Sequence, residues 1–131
     1  MKIALLQLNP IVGDLRGNSI KIAAALAQAA GADLAVTSEL ALLGYPPRDL
    51  LLNSDFIDRS WACLSRLAAE ARDLPPVLVG LAEPNPGPVG RPLFNCAALL
   101  RHGKVERTFK KSLLPTYDVF DEDRYFEPAG E

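Results

Sequence analysis

Three short runs are apolar at consecutive positions: KIALLQLN, DLAVTSEL and PVLVGLAE. A strand with one wet face alternates apolar and polar residues, so these runs predict strands covered on both faces, the habit of parallel sheets. Met1 to Leu8 is read as the first strand, 33–38 as the second and 76–83 as the third. Helix-period segments fill the gaps. SIKIAAALAQAA predicts a first helix, capped by Asn18 or Ser19 and ended by Gly31. Ile57, Trp61, Leu64, Ala68 and Ala71 share one stripe of a second helix at about 56–72, which Pro75-Pro76 stops.

The remainder is of a different kind. ALLGYPPRDLLLNSD reads as a loop, because Gly44 and Pro46-Pro47 forbid regular structure at its middle. EPNPGPVGRP is a stiff, exposed connection. LFNCAALLRHGKVERTFKK predicts a hairpin turning at His102-Gly103, followed by an irregular, polar and aromatic tail. The order β-α-β-α-β-β-β predicts an α/β fold, a mixed sheet with two helices on one or both faces. Buried strands favour coverage of both.

Composition removes several functions. At 131 residues the chain is one domain's worth, and 49% hydrophobic content with net charge −2 excludes a disordered segment. No basic excess exists to bind nucleic acid or an anionic membrane, and no run reaches the roughly 18 apolar residues of a membrane span. Two cysteines and one histidine make neither a structural zinc site nor a disulfide framework. Lys2 followed by Ile3 to Leu6 is no export signal, since Gln7 and Asn9-Pro10 break the run; a cytoplasmic protein is expected.

Sites in α/β folds gather at strand ends. Glu39 ends the second strand, and Lys110-Lys111 end the hairpin, so an acid and a base at neighbouring strand ends can meet over one pocket. The acidic run Asp118, Asp121, Glu122 and Asp123 lacks the spacing of a calcium loop and reads as a solvated face; no metal is expected. GPVG at 87–90 carries Pro88 and lacks the Lys-Ser/Thr of a phosphate loop. His102 sits on a turn with no nucleophile in motif context. Cys63 on a helix flank and Cys96 inside an apolar strand read as small buried hydrophobes, poor candidates for a reactive thiolate.

Three strings, QLNPIVGDLRGN, SELALLGYPPRDLLLNSDF and KKSLLPTYDVFDEDRYF, resemble consecutive signatures of the nitrilase (carbon–nitrogen hydrolase) superfamily. GYPPRDLLL and LPTYDVFDEDRYF are most similar to the glutaminase branch that serves glutamine-dependent NAD+ synthetases. The resemblance covers essentially the whole chain. It implies the N-terminal part of an α-β-β-α sandwich and a Glu-Lys-Cys triad, in which Glu39 is the base and acid and Lys111 the oxyanion partner. Glu122 matches a second glutamate that steadies the lysine, and Tyr45 and Tyr117 match aromatic positions lining the glutamine pocket. Ser38 departs from the family's usual proline.

By the same resemblance the nucleophilic cysteine is expected beyond Glu131, and residues 1–131 form a partial glutaminase domain without cofactor. ATP, Mg2+ and deamido-NAD+ are then expected at a separate C-terminal synthetase domain, glutamine at this one, and a homo-oligomer in the intact enzyme. The chain alone is expected to be inactive and marginally stable. A stand-alone amidase of the superfamily and a non-catalytic module are the alternatives.

Overall fold

Each predicted strand forms, though most are trimmed at their ends. The computed structural model describes residues 1–130; Glu131, the last residue of the expected 1–131 domain, lies outside the described residues. Strand β1 is Ile3–Leu6 and β2 is Leu34–Thr37, paired in parallel from Ile3↔Leu34 to Leu6↔Thr37. Strand β3, Val77–Pro84, runs parallel to β2. Strands β4, Leu93–Arg101, and β5, Lys104–Lys110, close the mixed sheet antiparallel, in the order β1-β2-β3-β4-β5. The hairpin turns where expected, with His102 at φ 56° and Gly103 at φ 77°, the left-handed pair that a two-residue turn between twisted strands requires.

Helix α1, Leu15–Gln28, starts earlier than its sequence suggests. Asp14, not Asn18 or Ser19, caps it, its Oδ1 accepting from the Gly17 amide at 2.9 Å. Asn18 is thereby released for another task. It is buried, accepts from Ile11 N at 2.8 Å, and donates to Ile11 O at 2.8 Å and Leu42 O at 3.0 Å. Helix α2, Ser54–Glu70, is capped by Asn53 and buries Ile57, Leu64 and Ala68 of the predicted stripe. The expected loop before it contains a short 3₁₀ turn, Arg48–Leu52.

Of the two arrangements that the element order predicts, helices on one face or on both, the structure has the first. Strands added successively through right-handed crossovers put their helices on one side. Ala35, Val77, Val79, Leu81, Ala98 and Leu100 of that side are buried in a core shared with Ile22, Leu26, Leu64 and Leu67 of the helices. The opposite face carries Leu5, Val36, Leu78, Leu99 and Phe109 by strand alternation. There Leu5 is 79% exposed and Phe109 is 46% exposed. Apolarity on both faces was therefore not matched by helices on both faces.

Candidate active site

The segment after β2 is an apolar plug. Leu40, Ala41, Leu42 and Leu43 are all buried, and their polar backbone is satisfied by the rest of the fold. Leu42 N donates to Gly80 O at 3.1 Å, Gly13 N donates to Leu43 O at 2.9 Å, and Asn18 holds Leu42 O. The chain passes so close over β3 that only glycine fits at position 80. A Cβ there would lie 2.5 Å from Leu40 N and 2.6 Å from Ser38 O. Thr37 Oγ1 accepts from the Gly80 amide at 3.1 Å, fixing the crossing point.

That crossing explains how Glu39 reaches Lys111. Their strands, β2 and β5, are not neighbours, since β3 and β4 lie between them. All the relevant ends nevertheless face the same way, and the plug carries Glu39 across β3 to the start of β4. Lys111 continues β5, its amide donating to Asn95 O at 2.8 Å. Lys111 Nζ then stands 2.9 Å from Glu39 Oε1 and 3.1 Å from both carboxylate oxygens of Glu122. Asn95 Nδ2 donates to the same Glu39 Oε1 at 2.6 Å.

Asp118, Asp121 and Asp123 are exposed, as a solvated face requires, but Glu122 departs from that reading. It opens a 3₁₀ turn, Glu122–Arg124, and its side chain is only 7% exposed, against 42% for Glu39 and 29% for Lys111. The turn is anchored by Phe126, buried beside Leu93, and by Tyr125, whose hydroxyl donates to Asp49 Oδ1 at 2.6 Å.

Two carboxylates and one ammonium leave the cluster one negative charge in excess, and the carboxylates respond in opposite directions. Burial pushes Glu39 up, but its hydrogen bonds with Lys111, Glu122 and Asn95 outweigh burial and hold it below the usual carboxylate value. Burial also raises Glu122; Lys111 opposes this, but the neighbouring Glu39 charge reinforces it, and the net direction is upward. Burial alone would lower Lys111, yet both carboxylates hold its pKa above the ordinary lysine value. The arrangement keeps Glu39 ionised and Lys111 charged at neutral pH. Opposite displacement of two carboxylates in one site is the pattern that separates acid and base roles.

The cluster opens onto two hollows. One, of about 250 Å³, is lined by Glu39, Asn95, Lys111 and Phe109 on the face away from the helices. The other, of about 600 Å³, is lined by Tyr45, Pro46, Arg48, Phe120, Glu122 and Tyr125. Burial first, then the charges of Glu122 and Glu39, push the Tyr45 phenol up, and Tyr45 shares the wall of this hollow with Glu122. Tyr117 is elsewhere: it is 71% exposed, off the wall of the larger hollow, and touches it only through Phe120, edge-on at 5.7 Å between ring centroids.

Both cysteines are buried, Cys63 near Leu15 O and Cys96 with its thiol pushed up to about 12 by burial and then by Glu83. Among the described residues no group of three His, Cys, Asp or Glu side chains is disposed to hold a metal ion, and no helix is long and apolar enough to cross a membrane. Asn95 and Gly80 were missed by sequence reasoning. Each carried a signal: a lone amide in FNCAALL, and a glycine inside an apolar strand.

The carbon–nitrogen hydrolase family model matches residues 2–131, and the chain belongs to that family. Within it, the chain is 48% identical over 134 residues to the glutamine-dependent NAD(+) synthetase of Synechocystis sp., covering 98% of this chain and 24% of that protein. It is 39% identical to the enzyme of that name from Thermotoga maritima, covering 100% of this chain and 22% of that one. The chain thus spans about a quarter of the length of these relatives. Among solved structures, the glutamine-dependent NAD+ synthetase of Acinetobacter baumannii, in complex with ADP, superposes at TM-score 0.82 with 34% identity over 99% of this chain and 24% of that one. An amidase from Nesterenkonia sp. superposes at TM-score 0.76 with 28% identity, over 100% of this chain and 49% of that one.

Proposed function

We propose that this chain supplies the proton carrier and the oxyanion cation for hydrolysis of the glutamine side-chain amide, within a cytoplasmic glutamine-dependent NAD+ synthetase. The carrying observation is the Lys111 ammonium held between Glu39 at 2.9 Å and Glu122 at 3.1 Å, beside two hollows. On this reading residues 1–131 are part of a glutaminase domain, and a separate synthetase domain uses ATP, Mg2+ and the released ammonia to amidate deamido-NAD+.

The nucleophile is assigned to a cysteine outside residues 1–131, since Cys63 and Cys96 are both buried. Its thiol gives a proton to Glu39 as the sulfur adds to the amide carbon, and the Lys111 ammonium faces the oxyanion that forms. Collapse breaks the C–N bond while Glu39 returns the proton to nitrogen, releasing ammonia and leaving a thioester. Water then gives a proton to Glu39 as it adds to the thioester carbon. Collapse expels the thiolate, which regains that proton, and glutamate departs. Glu122 keeps Lys111 charged and aimed, and Tyr45 walls the pocket; Tyr117 can join it only by moving from its exposed position.

In the full-length protein, Glu39→Gln or Lys111→Ala should lower glutamine-dependent synthesis by at least about 100-fold while ammonia-dependent synthesis continues. Equal loss of both would overturn the assignment. Residues 1–131 purified alone should neither turn over glutamine nor be labelled at Cys63 or Cys96 by a thiol-reactive glutamine analogue. A stand-alone amidase is the second reading, favoured by the superposition on the Nesterenkonia enzyme. Amide hydrolysis without any NAD+ synthesis by the full-length protein would select it.

A further inference from the structure

We infer that Asn95 is a positioning residue of this site: its side-chain amide sets which oxygen of Glu39 is free to exchange a proton. The inference rests on the reading of Glu39 as the proton carrier. Asn95 is 2% exposed, so its amide must find partners inside the fold. Nδ2 donates to Glu39 Oε1 at 2.6 Å, from a strand 56 residues away in sequence. Lys111 Nζ donates to the same oxygen at 2.9 Å. Both donors converge on Oε1. Neither of these two donors engages Oε2, which is left to take and return the proton beside the Glu122 carboxyl.

The backbone of Asn95 adds a second constraint. Its carbonyl accepts from Lys111 N at 2.8 Å, so the carboxylate and the ammonium are both referenced to one residue of β4. Neutrality of the amide matters as well. Lys111 already divides its charge between two carboxylates, and an amide favours the ionised Glu39 without adding to the excess negative charge. Without it, Glu39 would hang on a lysine whose other side is bound to Glu122.

The test uses the full-length protein with Asn95→Ala and the near-isosteric Asn95→Asp. Glutamine hydrolysis is followed against pH, ammonia-dependent synthesis serves as the folding control, and Glu39 titration is read from its ¹³C side-chain carboxyl resonance. The expected result is a fall of about 10- to 100-fold in kcat with KM changed less than about twofold, the range for losing a hydrogen bond to a charged group. The acid limb and the Glu39 midpoint should both move to higher pH, further in Asn95→Asp, where a third carboxyl faces the first. A folded Asn95→Asp variant with unchanged kcat and an unmoved Glu39 midpoint would overturn the inference. If the parent hydrolyses no glutamine, the proposed function fails, while the Glu39 midpoint still decides whether Asn95 controls that carboxylate.

Discussion

Two irregular segments aim carboxylates at Lys111, and they are built in opposite ways. Residues 40–44, which follow Glu39, are buried, with backbone groups tied to Gly80, Gly13 and Asn18. Residues 112–121 run across the surface, with Leu113, Tyr117 and Val119 largely exposed, and deliver Glu122 only because the turn beyond them is anchored. Absence of regular structure is therefore no measure of looseness. Rigidity follows from where the polar backbone finds its partners.

Substitutions that separate the two segments should differ in size. Leu42→Ala empties a fully buried position of the plug and should cost about 2–5 kcal/mol in denaturant unfolding of the protein. A loss under about 1 kcal/mol would mean the plug is not part of the core. Gly80→Ala forces a methyl against the backbone of Ser38 and Leu40 and should cost about 1–3 kcal/mol. It should also displace Glu39, so glutamine hydrolysis should fall further than stability alone explains.

The ammonium between the two segments gives a pH test. Because Lys111's folded pKa is raised, its contribution is complete below the unfolded value of about 10.4 and is lost as pH climbs through the higher folded value. The melting-temperature gap between parent and Lys111→Met should therefore hold steady from neutral pH to about 10 and close above it. At the far end of the scale, Val119→Ser in the exposed segment should change stability by less than about 0.5 kcal/mol. A larger effect would show that this segment, too, is packed.

The sequence disclosed the strands, the helices and the hairpin because their periods and turn residues are local. It misplaced what depends on distant partners. Asp14 and Asn18 are both good caps by type, and only the position of Leu42 O, 24 residues from Asn18, decides that Asn18 braces the plug instead. Glu122 looked solvated among its acidic neighbours because burial beside Lys111 is set by Phe126 and Tyr125 docking behind it. Doubly apolar strands favoured coverage of both faces; the crossovers place both helices on one, and Leu5 and Phe109 stay exposed on the other. Strand ends allowed Glu39 and Lys111 to meet, and the family resemblance made their meeting an expectation. The route across Gly80 that makes it possible is a property of close approach, written in the chain only as a glycine within a strand.

The contacts that define the cluster join residues 56 and 72 positions apart. Bringing such distant points together costs loop entropy before any favourable contact is made, so they belong to the late part of assembly. Local pieces, α2 and the β4–β5 hairpin, can form early and independently. Glu39, Asn95 and Lys111 meet only after the hairpin has docked on β3 and the plug has crossed it. The site thus acts as its own proofreader: a chain caught with the hairpin undocked holds much of its secondary structure and none of its chemistry.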